Sequence, residues 1–276
     1  MELTLASACW EKDYEVILDS SYGNKLFHSN SEITNRMLVI NNVNDRNKIQ
    51  LLLDTNKLVD NYIFAEDRMQ EVMDYWFENN YKKDFLDRRN SLRGLISQIL
   101  KGKKLRFKYN GLWFSIGPLT AIYLCQTEYL LYFTGDAYLC ESDNLEWIEK
   151  AIKLMEKNSK YIVANPIWNE GIAEVEKEAE YEDGDFFVSS GFSDQCFLLN
   201  VKRFRELLKG HLFDEKNKIS ERLYPVYGGR CFEAVFNAYM RNHDLKRITY
   251  KFSHYIHEDF SEEVKSKYLK AGEKSV

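Results

Sequence analysis

The chain alternates short apolar runs with longer segments whose apolar side chains recur at helical spacing. Residues 3–9 and 37–43 are apolar runs that end in small or amide side chains, which is typical of buried strands leaving a sheet. In residues 67–80 the apolar positions are three or four apart, which predicts a helix. Over the first 165 residues the alternation predicts βαβ units and a mainly parallel sheet. The predicted strands are 3–9, 37–43, 59–65, 129–133 and 161–164, and the predicted helices are 46–54, 67–80, 84–100, 117–128 and 144–157, with a polar loop at 24–35.

The second half of the chain has a mixed pattern. Residues 169–185 contain eight acidic side chains and few large apolar ones, which predicts a mobile loop that closes over the site as a lid. No internal repeat or linker divides the sequence, so we expect a single α/β domain over 1–276, with a mixed, mainly parallel sheet flanked by helices. Its remaining predicted strands are 186–190, 196–201, 248–252 and 254–257, and its remaining predicted helices are 202–209 and 230–243.

Composition excludes several classes of protein. The net charge of −5 argues against a nucleic-acid binder, which would carry a strongly basic surface. No stretch approaches the roughly 20 apolar residues that span a bilayer, and the N-terminus lacks the pattern of a secretory signal. The five cysteines are widely spaced and form no CxxC pair, which is typical of reduced thiols. We therefore expect a cytoplasmic protein with no transmembrane segment and no nucleic-acid partner.

Small, amide and acidic side chains follow four of the predicted strands. In an open α/β sheet, ligands bind outside the carboxyl ends of the strands. Each of these ends, taken alone, is more typical of an ordinary turn, whereas the four together favour a ligand site. Small residues and amides can accept a flat base and a ribose, and carboxylates can bind hydroxyls or a cation. The candidate ligand-binding residues are Ala6, Ser7 and Ala8, Asn41 and Asn42, Glu66 and Asp67, and Asp136.

The stretch TEYLLYFTGDAYL carries the most specific motif. It resembles the metal-binding Asp-x-Asp motif of nucleotide-sugar glycosyltransferases with the GT-A fold, with Thr134 in place of the first Asp and Asp136 in place of the last. The resemblance implies a Rossmann-like nucleotide-binding half over about 1–140 and an acceptor half over 141–276. It also implies a divalent cation, Mn²⁺ or Mg²⁺, that bridges the donor diphosphate. Because Thr134 removes one carboxylate ligand, we expect weaker or dispensable metal binding.

The same resemblance implies roles for three further residues. Asp194, in FFVSSGFSDQCFLLNVKRF, occupies a loop that faces the donor sugar in the family, although a surface turn is an equal alternative. His257 matches a histidine that completes the metal shell, with His254 as the reserve, and a packed histidine is the alternative. Glu233 matches an acidic residue that acts as general base on the acceptor, and its alternative is a first-turn glutamate that favours the helix dipole.

The expected function is therefore transfer of a sugar from a nucleotide-diphospho-sugar donor to an acceptor hydroxyl, as in polysaccharide or glycan biosynthesis. The acceptor, whether glycan, lipid-linked or protein, stays open, as do the sugar, the base and the stereochemistry. A nucleotidyltransferase of similar fold is one alternative, although SACWEKDYE lacks the Gly-rich basic loop of that class. A non-catalytic nucleotide-sugar binding protein is the other. The absence of GxGxxG and GxxxxGK[ST] disfavours dinucleotide-binding and P-loop functions.

Overall fold

The computed structural model contains one ten-stranded sheet with helices on both faces. The residues it describes are 2–11, 13–18, 20–28, 33–76, 111–139, 146–169, 171–209 and 232–257. The strands are β1 (Leu3–Cys9), β2 (Asn35–Ile40), β3 (Asn61–Phe64), β4 (Tyr129–Phe133), β5 (Ala137–Leu139), β6 (Tyr161–Trp168), β7 (Tyr181–Asp183), β8 (Phe186–Ser189), β9 (Cys196–Asn200) and β10 (Lys246–His257). The helices are α1 (Tyr14–Ile17), α2 (Ser20–His28), α3 (Arg46–Asn56), α4 (Ala65–Trp76), α5 (Gly111–Leu124), α6 (Glu146–Lys157), α7 (Ile172–Glu178), α8 (Val201–Leu208) and α9 (Phe232–Asn242).

The sheet is mixed and mainly parallel, which confirms the predicted fold class. Its strand order is β3-β2-β1-β4-β9-β6-β10-β8-β7, with β5 alongside β10. Strands β3, β2, β1 and β4 form a continuous parallel half. Strands β9, β8 and β5 run opposite to the other seven. A single sheet thus extends through both of the predicted halves.

Two apolar layers cover the faces of the sheet. Helices α1, α2, α3 and α6 contribute to one layer, which includes Leu131 and Trp147. Helices α4, α5, α8 and α9 contribute to the other, which includes Trp76 and Phe232. All five residues of β4 are buried, as the unbroken apolar run in its sequence predicts.

The prediction that residues 169–185 form a loop is wrong. Its first part forms helix α7, and its second part forms β7, which pairs with β8. The acidic side chains led to the predicted loop, because such side chains are usually solvated. In the structure, several of them pair with cations instead. Lys246 contacts Glu180 at 2.7 Å, and Lys251 contacts Glu182 at 2.7 Å. The segment is therefore fastened to β10 in the protein without ligand.

One helix lies partly where the sequence predicts a loop, and another begins earlier than predicted. The predicted loop at 24–35 contains the end of α2, whose Tyr22, Leu26 and Phe27 are buried against the sheet at helical spacing. Helix α5 begins at Gly111, not at 117, and Pro118 lies inside it rather than in its first turn.

The last strand is also longer than predicted. It runs unbroken from Lys246 to His257, although its pairing with β6 is irregular between Tyr250 and His254. The predicted helix 84–100, the start of the predicted helix 230–243, and Cys140 and Cys231 lie outside the described residues.

Two further observations concern the cysteines and the helices of the described residues. Cys9, Cys125 and Cys196 are buried free thiols. Among the helices described, none combines the length and apolar character needed to cross a bilayer.

Candidate active site

The carboxyl ends of the parallel strands are joined by direct contacts. The Asn41 amide donates to the Cys9 carbonyl oxygen at 2.8 Å, which continues the β1–β2 ladder beyond both strands. The Asn42 amide donates to Glu66 Oε1 at 2.5 Å, which links the end of β2 to the helix that follows β3. The predicted polar strand ends therefore lie side by side along one edge of the sheet.

The loop after β4 lies directly on the end of β1. A Cβ at Gly135 would be 2.4 Å from the Ala8 carbonyl oxygen and 2.5 Å from Ile17 Cδ1, so no larger residue fits without displacement. The Tyr22 hydroxyl donates to the Gly135 carbonyl oxygen at 2.9 Å. Glycine at the centre of the motif therefore lets the chain place Asp136 close above β1.

The three small residues of β1 differ in their access to this edge. Ala6 and Ser7 are fully buried, whereas Ala8 is partly exposed. Ala8 is also the point at which α5 approaches, since a Cβ at Gly117 would be 2.9 Å from Ala8 Cβ. Of the three predicted residues, Ala8 alone borders the open edge, and the other two belong to the core.

An arginine organises the acidic residues near β3. Glu66 and Asp67 lie in the first turn of α4, because β3 ends at Phe64. Arg46 contacts Asp67 Oδ1 at 2.7 Å and Glu66 Oε2 at 3.4 Å, and its guanidinium carbon lies 4.6 Å from the centroid of the Phe64 ring. Asn42 has a left-handed φ of 55°, and its buried Oδ1 accepts no hydrogen bond within the described residues. The predicted carboxylates thus hold Arg46, while the Asn42 amide oxygen is available to a ligand.

Asp136 and His257, which are far apart in the sequence, are brought into contact by the sheet. His257 Nε2 lies 3.4 Å from Asp136 Oδ2, and about a third of each side chain is exposed. The pairing follows from register, because His257 is opposite Ala137 in the antiparallel β5–β10 ladder. Asn169 fixes the end of β10 by accepting from the His257 amide at 2.7 Å. His254 is three residues away on the same strand, so its side chain points to the opposite face.

The pair fits part of a cation site. At bond lengths of about 2.1 Å, two ligands at right angles on one ion are about 3 Å apart, close to the observed separation. Thr134 Oγ1 is buried and accepts or donates no hydrogen bond within the described chain. The described residues contain no group of three His, Cys, Asp or Glu side chains arranged to hold a metal. Within the described residues, Asp136 and His257 can therefore supply two ligands to a cation.

The loop before β9 carries Asp194 to the same place. The Thr134 amide donates to the Gln195 carbonyl oxygen at 2.9 Å, and the Tyr255 hydroxyl donates to Gln195 Oε1 at 3.2 Å. These bonds tie the Asp194 loop to the motif loop and to β10. Asp194 is partly buried and lies close enough for Asp136 to affect its ionisation.

The two candidate catalytic carboxyls have separated pKa values. Removal from water raises the pKa of Asp194 to about 6, and the negative charge of Asp136 adds to the increase. Removal from water also raises the pKa of Glu233 to about 8, with a further increase from Asp194 and an opposing effect of Arg247. At neutral pH, Asp194 is mostly ionised, whereas Glu233 mostly retains its proton. The arrangement pairs a proton acceptor with a neutral hydrogen-bond donor.

Sequence reasoning missed Arg247, which influences Glu233 from the start of β10. Only 3% of Arg247 is exposed. The local signal is a pair of cations, Lys246-Arg247, directly before the predicted strand 248–252.

No family model and no curated protein sequence matches this chain. Solved structures do resemble it in fold. The galactosyltransferase LgtC, in complex with donor and acceptor sugar analogues, has a TM-score of 0.39 and 13% identity, over 86% of this chain and 70% of that one. GalNAc-T7 with UDP, GalNAc and Mn²⁺ has a TM-score of 0.48 and 10% identity. The match covers 93% of this chain but only 44% of that one.

A synthetase also resembles the chain. CMP:2-keto-3-deoxy-manno-octonic acid synthetase in complex with CTP has a TM-score of 0.46 and 7% identity, over 99% of this chain and all of that one. At these identities and scores, the likeness does not extend to activity or substrate. The likeness to these enzymes concerns the fold alone, a mixed, mainly parallel sheet with flanking helices.

Proposed function

We propose that the protein is a glycosyltransferase that moves a sugar from a nucleotide-diphospho-sugar to an acceptor hydroxyl. One observation supports this most strongly. Asp136 and His257 meet within 3.4 Å at the carboxyl edge of the parallel strands, and Asp194 lies beside them. Ligands of open α/β sheets bind at this edge. The site therefore combines a nucleotide-binding position, a two-ligand cation position and a carboxylate base.

The parallel half suits the nucleoside. Ala8 leaves room at the edge, and the unpaired Asn42 Oδ1 can accept from a base or a ribose hydroxyl. The Phe64 ring and the Arg46 guanidinium offer a cationic aromatic surface next to it. Strand β3, which ends at Phe64, is separated by β2 and β1 from β4, which leads to Asp136.

The chemistry follows from the separated carboxyls. A divalent cation, Mn²⁺ or Mg²⁺, would be held by Asp136 and His257 and would stabilise negative charge on the departing diphosphate. In an inverting transfer, Asp194 accepts the proton of the acceptor hydroxyl as the new bond to the sugar forms. Glu233, whose pKa is raised to about 8 by burial and by the charge of Asp194, mostly keeps its proton at neutral pH. Partial burial of both groups limits competition from water.

The experiment is a panel of UDP-, GDP-, CMP- and dTDP-sugars, read by thermal shift and product analysis with and without Mn²⁺. We expect one nucleotide class to stabilise the protein and to release a nucleoside diphosphate with acceptor. Asp136→Asn and His257→Asn should fold normally and lose about 10²-fold or more in transfer. His254→Asn, on the opposite face of the same strand, is the matched control and should retain near-normal transfer.

Other outcomes identify the alternatives. Pyrophosphate release from a nucleoside triphosphate would identify a nucleotidyltransferase. Stabilisation without turnover would identify a nucleotide-sugar binding protein. If no nucleotide at millimolar concentration changes the melting temperature, the proposed donor site is wrong.

A further inference from the structure

A strip of polar side chains is buried on one face of the sheet, where an apolar layer is expected. Arg247 and Thr249 are two residues apart on β10, so both point to the same face. Asn165 on β6 is paired with Thr249. Asn165 and Thr249 are fully buried, and only 3% of Arg247 is exposed. We refer to Asn165, Arg247 and Thr249 as the polar strip.

The polar strip separates two apolar clusters. Val163, paired with Arg247, belongs to the core layer that contains α9. Phe187, paired with Thr249, belongs to a small cluster with Val175 of α7. A continuous apolar surface would join these clusters more favourably than buried polar groups do. The polar side chains at this position therefore require an explanation beyond packing.

Hydrogen-bond donors in the strip are left without acceptors. Thr249 Oγ1 donates to Asn165 Oδ1 at 2.9 Å, which fixes the amide and directs its Nδ2 group away from Thr249. Asn165 Nδ2 and Arg247 Nε are both buried, and neither has an acceptor in the described parts of the chain. Native proteins rarely leave such groups unpaired, and here both unpaired groups are N–H donors. The missing partner is therefore a hydrogen-bond acceptor.

The strip also lacks negative charge. Arg247 Nη2 contacts Glu178 Oε2 at 3.0 Å, but the Glu178 side chain is 55% exposed. The adjacent Lys246, by contrast, contacts both Glu180 and Asp244. Glu233 does not complete the balance, because it retains its proton at neutral pH. A water molecule could accept the hydrogen bonds, whereas an anion would also strengthen the charge pairing that the exposed Glu178 provides only in part.

The geometry of Arg247 suits a two-oxygen ligand. A guanidinium binds carboxylate or phosphate best through two parallel N–H bonds. Glu178 occupies Nη2 alone, which leaves Nε of the same edge unused. The guanidinium carbon lies 5.5 Å from the centroid of the Trp168 ring, which restricts its orientation. Because Glu178 is exposed, an external oxyanion can displace it and bind both nitrogens.

We propose that the polar strip is an oxyanion subsite, in which Arg247 and Asn165 bind a carboxylate or phosphate group carried by the acceptor sugar. Its assignment to the acceptor rests on the proposed function, because Arg247 faces the Glu233 side of the site. The substrate class that follows is an acidic or phosphorylated sugar acceptor. Its charged group would be recognised away from the hydroxyl that reacts.

The test measures binding to the whole protein without donor or cation. Glucuronate, glucose 6-phosphate and glucose are titrated at constant ionic strength, and ligand-observed NMR reports the dissociation constants. The carboxylate and phosphate arms distinguish the two sources of the oxyanion. We expect at least one charged sugar to bind and glucose to bind about tenfold more weakly or not at all.

Two variants on the same segment provide the decisive comparison. Glu178→Gln removes the competing carboxylate and should tighten binding of the charged sugar about two- to fivefold. Glu182→Gln removes the exposed partner of Lys251 and should leave binding unchanged. Arg247→Gln should weaken binding about tenfold or more, with folding checked by circular dichroism. Because Glu178 is exposed, its variant tests the site even if Arg247→Gln does not fold.

The proposal is overturned if glucose binds as tightly as both charged sugars, if neither charged sugar binds Glu178→Gln, or if Glu178→Gln and Glu182→Gln bind alike. These results are independent of sugar transfer. If the charged sugars bind but no nucleotide-sugar binds or acts as a donor, the proposed function is overturned instead.

Discussion

Glu233→Gln tests whether the site contains a carboxyl that burial keeps protonated. The pKa of Glu233 is about 8, chiefly because removal from water disfavours its charged form, and further because Asp194 repels it. Between the ordinary value of 4.5 and about 8, the native protein binds a proton that the unfolded chain has released. Stability must therefore fall as pH rises through this interval. Glutamine preserves the shape of the side chain and removes this titration.

The magnitude follows from the difference in pKa. Each pH unit between 4.5 and about 8 is worth about 1.4 kcal/mol, which gives an upper limit of about 5 kcal/mol. Glu233 keeps some contact with solvent and shares its repulsion with Asp194, so we expect roughly half of this limit. The variant should match the parent protein near pH 4.5 and exceed its unfolding free energy by about 2 to 3 kcal/mol at pH 8.5.

The assay is urea unfolding at a series of pH values between 4.5 and 8.5, without added metal or nucleotide. Glu206→Gln, which changes an exposed carboxylate on α8, serves as the control and should follow the parent curve within about 0.5 kcal/mol. If Glu233→Gln shows the same pH dependence as the parent protein, the carboxyl is not held protonated, and its assigned role beside Asp194 is wrong.

Three further predictions concern the motif loop and the acidic segment. Thr134→Asp should tighten Mn²⁺ binding about tenfold by adding a second carboxylate beside Asp136, as measured by calorimetry; unchanged affinity would show that residue 134 does not face the ion. Gly135→Ala should lower the free energy of unfolding by about 1 to 3 kcal/mol, because the new Cβ would be 2.4 Å from the Ala8 carbonyl oxygen, and a neutral effect in urea would refute the close approach. Hydrogen exchange should show residues 172–178 protected before any ligand is added, with little change on saturation by donor, and rapid exchange in the free protein would restore the lid.

The parallel half could be predicted because its strands are buried on both faces. Such strands have unbroken apolar runs, and the positions of β1 and β4 agree with the sequence pattern to within a residue. Segments held by charge are harder to predict. The acidic stretch that forms α7 and β7 depends on Lys246 and Lys251, which are more than sixty residues away in sequence. Without these partners in view, its composition is typical of a loop.

The candidate site also contains some residues that the sequence predicts and others that it does not. The motif resemblance provides Asp136 and His257, but their 3.4 Å separation depends on the β5–β10 register, which no local pattern encodes. For β1, the pattern of small residues predicts the end of the strand correctly. It does not predict that Ala6 is buried and does not border the open edge of the sheet. Arg247 could not be predicted as buried, since its environment is assembled from α7, β6 and the loop at Gly191.

The replacement of the first motif carboxylate has a consequence for the order of binding. If Asp136 and His257 hold the cation as proposed, the described residues supply two of the about six positions that Mg²⁺ or Mn²⁺ fills. Most of the remaining ligands must then come from the diphosphate and water, so the free protein binds the cation weakly. Cation and donor must strengthen each other's binding by the same factor, because their coupling is reciprocal. Asp136 and His257 alone would hold the cation only weakly once the diphosphate product has left. The cation would then bind together with the donor and would not be a permanent part of the protein.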